Sequence, residues 1–136
     1  MKALSIQQPF AYCITHGTKR VENRTWYTRV RGPVLIHASK AYQTDTEYVI
    51  NAYSPDLDII EMKRAPRGAI VGAAMLVACV RAHEVAEDQR IWAGGPWCFV
   101  FADVMAYSPI PYRGELGFFE FPDEIVAGVT RTNLHG

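Results

Sequence analysis

The spacing of apolar residues changes period along the chain. Leu4 and Ile6 alternate with polar neighbours, a short extended start. Phe10, Cys13 and Ile14 then recur at three- and four-residue spacing behind Pro9, whose missing N–H costs nothing in a first helical turn. A helix over 9–16 is predicted, and Gly17 suits the left-handed position that ends one. Val21 to Trp26 alternates again, with Val21, Asn23 and Thr25 on one face of a strand and Glu22, Arg24 and Trp26 on the other. Arg31-Gly32-Pro33 is a turn, and the nearly unbroken apolar run Val34 to Ala38 reads as a central strand. Ser39 can cap a second helix from about Lys40 to Tyr53, stopped by Ser54-Pro55. Residues 56–67 read as part helix, part loop. Ala69 to Val80 predicts a long buried strand, and Trp97 to Val104 another, entered through Gly94-Gly95-Pro96. Ser108 to Tyr112 carries two prolines and reads as an edge or loop, and Gly117 to Phe121 is a last strand. The sum is an α+β domain of about five to seven strands and two main helices, in which antiparallel strands curl into a mixed β-barrel.

Nothing in the pattern divides the chain. There is no linker, repeat or low-complexity stretch, so residues 1–136 are expected to form one domain. Apolar residues make up 49% and charged residues 21%, enough for a real core and unlike a disordered segment. The longest apolar run, Ala69 to Val80, is too short to span a bilayer, and the N-terminus shows no apolar stretch leading to a cleavage site. A cytoplasmic protein without a membrane partner is the expectation. Cys13, Cys79 and Cys98 are odd in number, widely spaced and set among apolar residues, as reduced buried thiols are. The four histidines show no His-x-x-x-His pair, so no metal site is expected. No phosphate loop or dinucleotide fingerprint is present, and no cofactor is expected.

Charge changes the picture locally. The chain is neutral overall, but Lys19 to Lys40 holds six basic residues and one acidic, a segment of +5. Such a segment fits a local anion site, and it equally fits a solvated strand face kept soluble by charge. Within it, Lys19 and Glu22 lie three residues apart at the helix exit. A lysine and a carboxylate in a desolvated cleft can move a proton, and the same pair can simply tie a helix end to a strand. Arg24 and Trp26 share a predicted face, offering charge for a phosphate and a ring for a base; Trp26 also suits core filling. Trp97, opening a strand after a glycine turn, is placed to gate a cleft or plug a barrel end. Gln7 and Gln8 precede the helix, where their amides can read a base edge or satisfy backbone groups. Ser39 and Lys40 form an anion-binding corner or a plain helix cap. Arg29 and Arg31 add positive potential. His37 alternates with apolar neighbours, as a satisfied core histidine does.

The segment Gly17-Thr18-Lys19-Arg20-Val21-Glu22-Asn23-Arg24 fits Gly-x-Lys-x-x-Glu-x-Arg at every fixed position. Its flanks are Leu4-Ser5-Ile6-Gln7-Gln8-Pro9, Trp26-Tyr27-Thr28 and Arg31-Gly32-Pro33. Further on come Ile36-His37-Ala38-Ser39-Lys40, Gly94-Gly95-Pro96-Trp97 and Arg113-Gly114-x-x-Gly117. In this ordered series, over about residues 2 to 122, the chain resembles the ASCH family, and within it the branch of stand-alone bacterial and phage proteins and the C-terminal domain of the activating signal cointegrator. The resemblance implies a PUA-like barrel with a cleft beside the motif, in which related barrels hold RNA or a modified base. One small branch removes the acyl group from N4-acetylcytidine with the motif lysine and a threonine three residues later. Lys19 matches that lysine, and Glu22 stands where the threonine would be.

The expected partner is therefore RNA, a nucleotide or a modified nucleoside. The candidate ligand-binding residues are Gln7, Gln8, Arg24, Trp26, Arg29, Arg31, Ser39, Lys40 and Trp97. Lys19 and Glu22 are the candidate catalytic residues. Three activities stay open on the sequence: a binding module, a small hydrolase of ribonuclease or amidohydrolase type that uses Lys19, and a protein-interaction domain.

Overall fold

A computed structural model describes residues 1–126. In chain order they form β1 (Lys2–Gln8), α1 (Phe10–His16), β2 (Val21–Arg24), β3 (Gly32–Tyr42), α2 (Thr46–Tyr53), α3 (Ile59–Arg64), β4 (Ala69–Val80), β5 (Trp97–Pro111) and β6 (Phe118–Glu120). Two 3-10 turns, Ala82–Glu84 and Glu87–Trp92, fill the connection from β4 to β5. The six strands make one mixed sheet in the order β2-β5-β4-β3-β1-β6. β1 runs parallel to β3, and every other neighbouring pair is antiparallel.

The fold is α+β, as the pattern predicts, but the sheet does not close into a barrel. β2 and β6 remain its two edges. Side chains, not a backbone ladder, span the gap between them. Trp26, just past β2, meets Phe118 of β6 edge-on at 5.8 Å, and Phe118 stacks on Phe99 of β5 at 6.1 Å. β2 is a four-residue strand that pairs with β5 on one side. Irregular register between β4 and β5, at three places, bends the long central strands instead.

One element departs from the sequence expectation and two others sharpen it. The second main helix was expected from about Lys40, but β3 runs on to Tyr42 and α2 begins only at Thr46, behind Asp45. Ser39 is therefore a strand residue and caps nothing. A third helix, α3, starts at Asp58, whose carboxylate accepts the Glu61 amide at 3.0 Å. β5 continues through Pro109 and Pro111, which had read as an edge or loop. β2 pairs only with Trp97–Val100, so the far half of β5 has a free side where proline breaks no ladder.

The main core joins Leu4, Ile6 and Ile14 to Val34, Ile36, Leu76, Phe99 and Phe101. A second cluster packs Cys13, Val21 and Cys98 under Ile50, Leu57, Met62 and Trp92, which seats α2, α3 and the Glu87–Trp92 turn over the end of α1. Gly17 ends α1 in extended backbone, φ −123°, ψ −161°, and not in the left-handed conformation expected. Glycine is required there for space: a Cβ would lie 2.7 Å from Cys13 O and 3.0 Å from Leu57. That close approach turns the chain directly into Lys19 and β2. Cys13, Cys79 and Cys98 are buried and free. No helix among the described residues is long and apolar enough to cross a membrane.

Candidate functional site

The exit from α1 delivers Lys19 to the inner end of a cleft of about 620 Å³. One wall comes from β2 and its continuation, with Glu22, Asn23, Arg24 and Trp26. The opposite side comes from Phe10, Tyr53, Ile91 and Trp92, and Leu116 and Gly117 form part of the rim. Lys19 reaches the cleft but is only 2% exposed. Its ammonium donates to Val21 O and to Glu22 Oε1, the latter at 3.2 Å. Phe10 and Trp92 flank it with ring centroids 5.4 and 6.0 Å away. Two of its three N–H groups are thereby committed.

Glu22 is shared between two cations. Its Oε1 meets Lys19 and its Oε2 accepts from Arg24 Nη2 at 3.2 Å. Arg24 also donates to Ser5 O on β1, so its guanidinium closes the space between β2 and the opposite end of the sheet. The triplet carries one net positive charge in a largely desolvated wall. Two polar atoms of this wall, Arg24 Nε and Ser39 Oγ, are buried without a hydrogen-bond partner. The alternation that placed Glu22 and Arg24 on one face holds, but the strand ends at Arg24, and Trp26 reaches the cleft from the following loop.

Asn23 and Gln89 pin the other wall in place. Asn23 donates to Trp92 O at 2.9 Å and accepts from the amides of Gly94 at 2.8 Å and Gly95 at 3.0 Å. Gln89 accepts from Arg20 N at 2.7 Å and donates to Thr18 O at 2.8 Å. The variable positions of the motif thus attach the Glu87–Trp92 turn to it. Sequence reasoning passed over Ser5, Phe10, Asn23, Tyr53 and Trp92 as cleft residues. For Asn23 the signal was its place inside the motif; for Trp92 nothing local marked it, because a 69-residue separation brings it to Asn23.

The remaining expected ligand-binding residues are dispersed. Gln7 is exposed and lines the cleft. Gln8 does not: it is buried, donating to Pro66 O at 2.8 Å and accepting from Tyr12 N at 2.9 Å, so its amide braces α1. Trp26 is 37% exposed and lines the cleft, its ring edge-on to Phe99 at 5.1 Å. Trp97 lies opposite Arg24 in the ladder but outside the cleft, its ring covered by the Arg81 guanidinium at 3.8 Å and by Tyr27 at 4.9 Å. Trp92, and not Trp97, lines the cleft. Arg29 and Arg31 are exposed on the loop after β2, away from the cleft, and Arg31 donates back to Thr28 O and Val30 O. Ser39 lines the cleft, and Lys40 faces a neighbouring concavity. His37 is a satisfied core residue. Its Nε2 donates to Tyr112 O at 2.7 Å, since a carbonyl only accepts, which leaves Nδ1 to accept from Ser5 Oγ at 3.0 Å. Burial pushes the imidazole pKa down.

The pattern of the ASCH domain matches residues 4–112, most of the chain and all of the cleft walls but the rim. The chain belongs to the ASCH domain family. ASCH domains share the PUA-like fold, and the family is generally associated with RNA binding. Over 91 residues, 62% of this chain, the sequence is 29% identical to activating signal cointegrator 1 of Homo sapiens. It matches the Mus musculus protein of the same name to the same extent. The ASCH domain described here spans 15% of the length of these curated relatives. Among solved structures, a variant of the ASCH protein of Zymomonas mobilis superposes with a TM-score of 0.57 at 16% identity, over 96% of this chain and 94% of that one. The unsubstituted Zymomonas protein gives 0.55 at 16% identity, over 96% and 93%. These structures share the fold.

Proposed function

We propose that this ASCH domain binds single-stranded RNA or a nucleotide in the cleft beside Gly17–Arg24, without a cofactor. One observation carries the reading: the cleft joins the cations Lys19 and Arg24 to the aromatic side chains Phe10, Trp26 and Trp92. A base-and-phosphate ligand needs both, a ring face to stack on and a fixed positive charge for an oxygen. Glu22 holds the two cations at a set spacing. Arg24 Nε and Ser39 Oγ are donors that a small shift of the wall can turn to a ligand's oxygen.

Hydrolysis of RNA or of a modified nucleoside is the second reading. The buried contact of Lys19 with Glu22 inside the cleft supports it, since such a pair can orient a water or a scissile group. Titration of the protein with RNA tetranucleotides and mononucleotides, with chromatography of the mixture afterwards, separates the two. Salt-sensitive binding with intact ligand supports the binding module. Multiple-turnover product that disappears in Lys19→Ala supports the hydrolase. An absence of both binding and product removes the nucleic-acid reading.

A further inference from the structure

A second concavity, of about 1050 Å³, adjoins the first. Ser5, Ser39 and Leu116 belong to both. They form a saddle, with Leu116 fully exposed on its crest and Ser39 Oγ buried and unpartnered beneath. Beyond the saddle stand Lys40, on the outer part of β3, and Arg113, which follows β5. Both are exposed, and among the described residues neither takes part in an ion pair. Glu115 is the acidic residue of this concavity, and burial shifts His37 beneath it towards its neutral form, against the hydrogen bond to Tyr112 O. Arginine and lysine therefore leave the second concavity with a net positive charge, as the Lys19–Glu22–Arg24 group leaves the first.

Size and charge together set the class of ligand. A pocket for one small molecule measures roughly 300–1,000 Å³. The first cleft alone, about 620 Å³, falls in that range. The two together exceed it, and they share Ser5, Ser39 and Leu116 along a common border. A path with aromatic rings at one end and unpaired cations at the other matches a polyanion that carries one base to be stacked and further phosphates to be neutralised. A free nucleoside would leave Lys40 and Arg113 without a role.

We infer that the site takes a strand of RNA at least two nucleotides long, one base in the Trp26–Trp92 cleft and the following phosphates passing over Ser39 to Lys40 and Arg113. This rests on the binding function proposed above and specifies its ligand. Leu116 on the saddle then lies against the sugar or base at the step between the two seats.

The test uses the whole chain and two probes, a mononucleotide and a homopolymeric RNA tetranucleotide. The wild type should bind the tetranucleotide at least about ten-fold more tightly, and its affinity should fall more steeply with salt, by about 0.7 in slope for each added phosphate contact. Lys40→Ala with Arg113→Ala should erase most of that difference while leaving mononucleotide affinity within about two-fold; both side chains are exposed, and folding should be unaffected. Arg24→Gln should weaken both probes. Equal affinity of the wild type for the two probes would overturn the strand inference and leave the binding function standing, as would a double variant that binds the tetranucleotide normally. Failure of the wild type to bind either probe would overturn both.

Discussion

Lys19 Nζ stands 3.2 Å from Glu22 Oε1, with the two side chains 3% and 11% exposed. A pair this far from water is costly to break from one side, because the remaining charge stays in a poorly solvated wall. Arg24 on the other oxygen of Glu22 reduces that cost when Lys19 is lost, but nothing comparable serves Lys19 when Glu22 is lost. Lys19→Met should therefore destabilise the fold by about 2–3 kcal/mol, and Glu22→Leu by more. Combined, the two should cost less than their sum. Urea unfolding of the four proteins of this cycle measures it, and a Lys19→Met variant with wild-type stability would show the pair to be slack.

The burial of Lys19 was only partly visible beforehand. Gly-x-Lys-x-x-Glu-x-Arg marks the segment, and the helix before it is legible in Pro9, the spacing of Phe10, Cys13 and Ile14, and Gly17. What the linear pattern cannot supply is the second wall. Trp92 reaches the cleft through Asn23, across a separation of 69 residues, and Trp97, the more conspicuous tryptophan, is held away under Arg81. The misplaced second helix has a similar origin. Ser39-Lys40-Ala41-Tyr42 suits a cap and first turn by composition, but pairing of Tyr42 with Gln8 extends β3 past it. Barrel closure failed as an expectation because strand count alone does not say whether the two edges meet; β2 is short, and Trp26 and Phe118 fill the seam.

Acid should weaken the fold through His37. Burial lowers its pKa below the ordinary 6.5, so the unfolded chain takes up the proton first as pH falls. The contribution of the neutral ring is complete above 6.5 and diminishes as pH drops below 6.5 towards the folded-state value. The melting temperature of the wild type should fall across that window, and His37→Asn should flatten the dependence. A profile unchanged by the substitution would assign the acid sensitivity elsewhere.

Gly114 lies directly over the Ser5–His37 contact. A Cβ there would stand 2.3 Å from His37 Cε1 and 2.6 Å from Ser5 Oγ. Gly114→Ala must push the loop outward or break the hydrogen bond, for a loss of about 1–3 kcal/mol by overpacking. Because Leu116 and Gly117 follow on the same loop and border the cleft, ligand affinity should drop as well. Gly94→Ala, where the nearest atoms are an ordinary 3.7 Å away, is the control. Calorimetry on both variants decides whether the crowding at Gly114 is real.

Thiol chemistry gives an independent check on the core. Burial raises the Cys13 thiol to about 12, and it also raises Cys98. Neither should react appreciably with iodoacetamide near neutral pH while the protein is folded, because the thiolate is the nucleophile. Both should label rapidly in denaturant. Fast labelling of Cys13 in the folded protein would place the end of α1 in contact with solvent.

The central claim is that Lys19, Arg24, Trp26 and Trp92 form one nucleic-acid site. Backbone amide and indole shifts during an NMR titration with an RNA tetranucleotide test it residue by residue. The account predicts that the changes concentrate on Lys19 to Trp26, on the Trp92 indole, on Leu116–Gly117 and on the strand path at Ser39, Lys40 and Arg113, while the exposed face around Lys63 on α3 stays still. Changes confined to α2 and α3, or a spectrum untouched by saturating RNA, would contradict it.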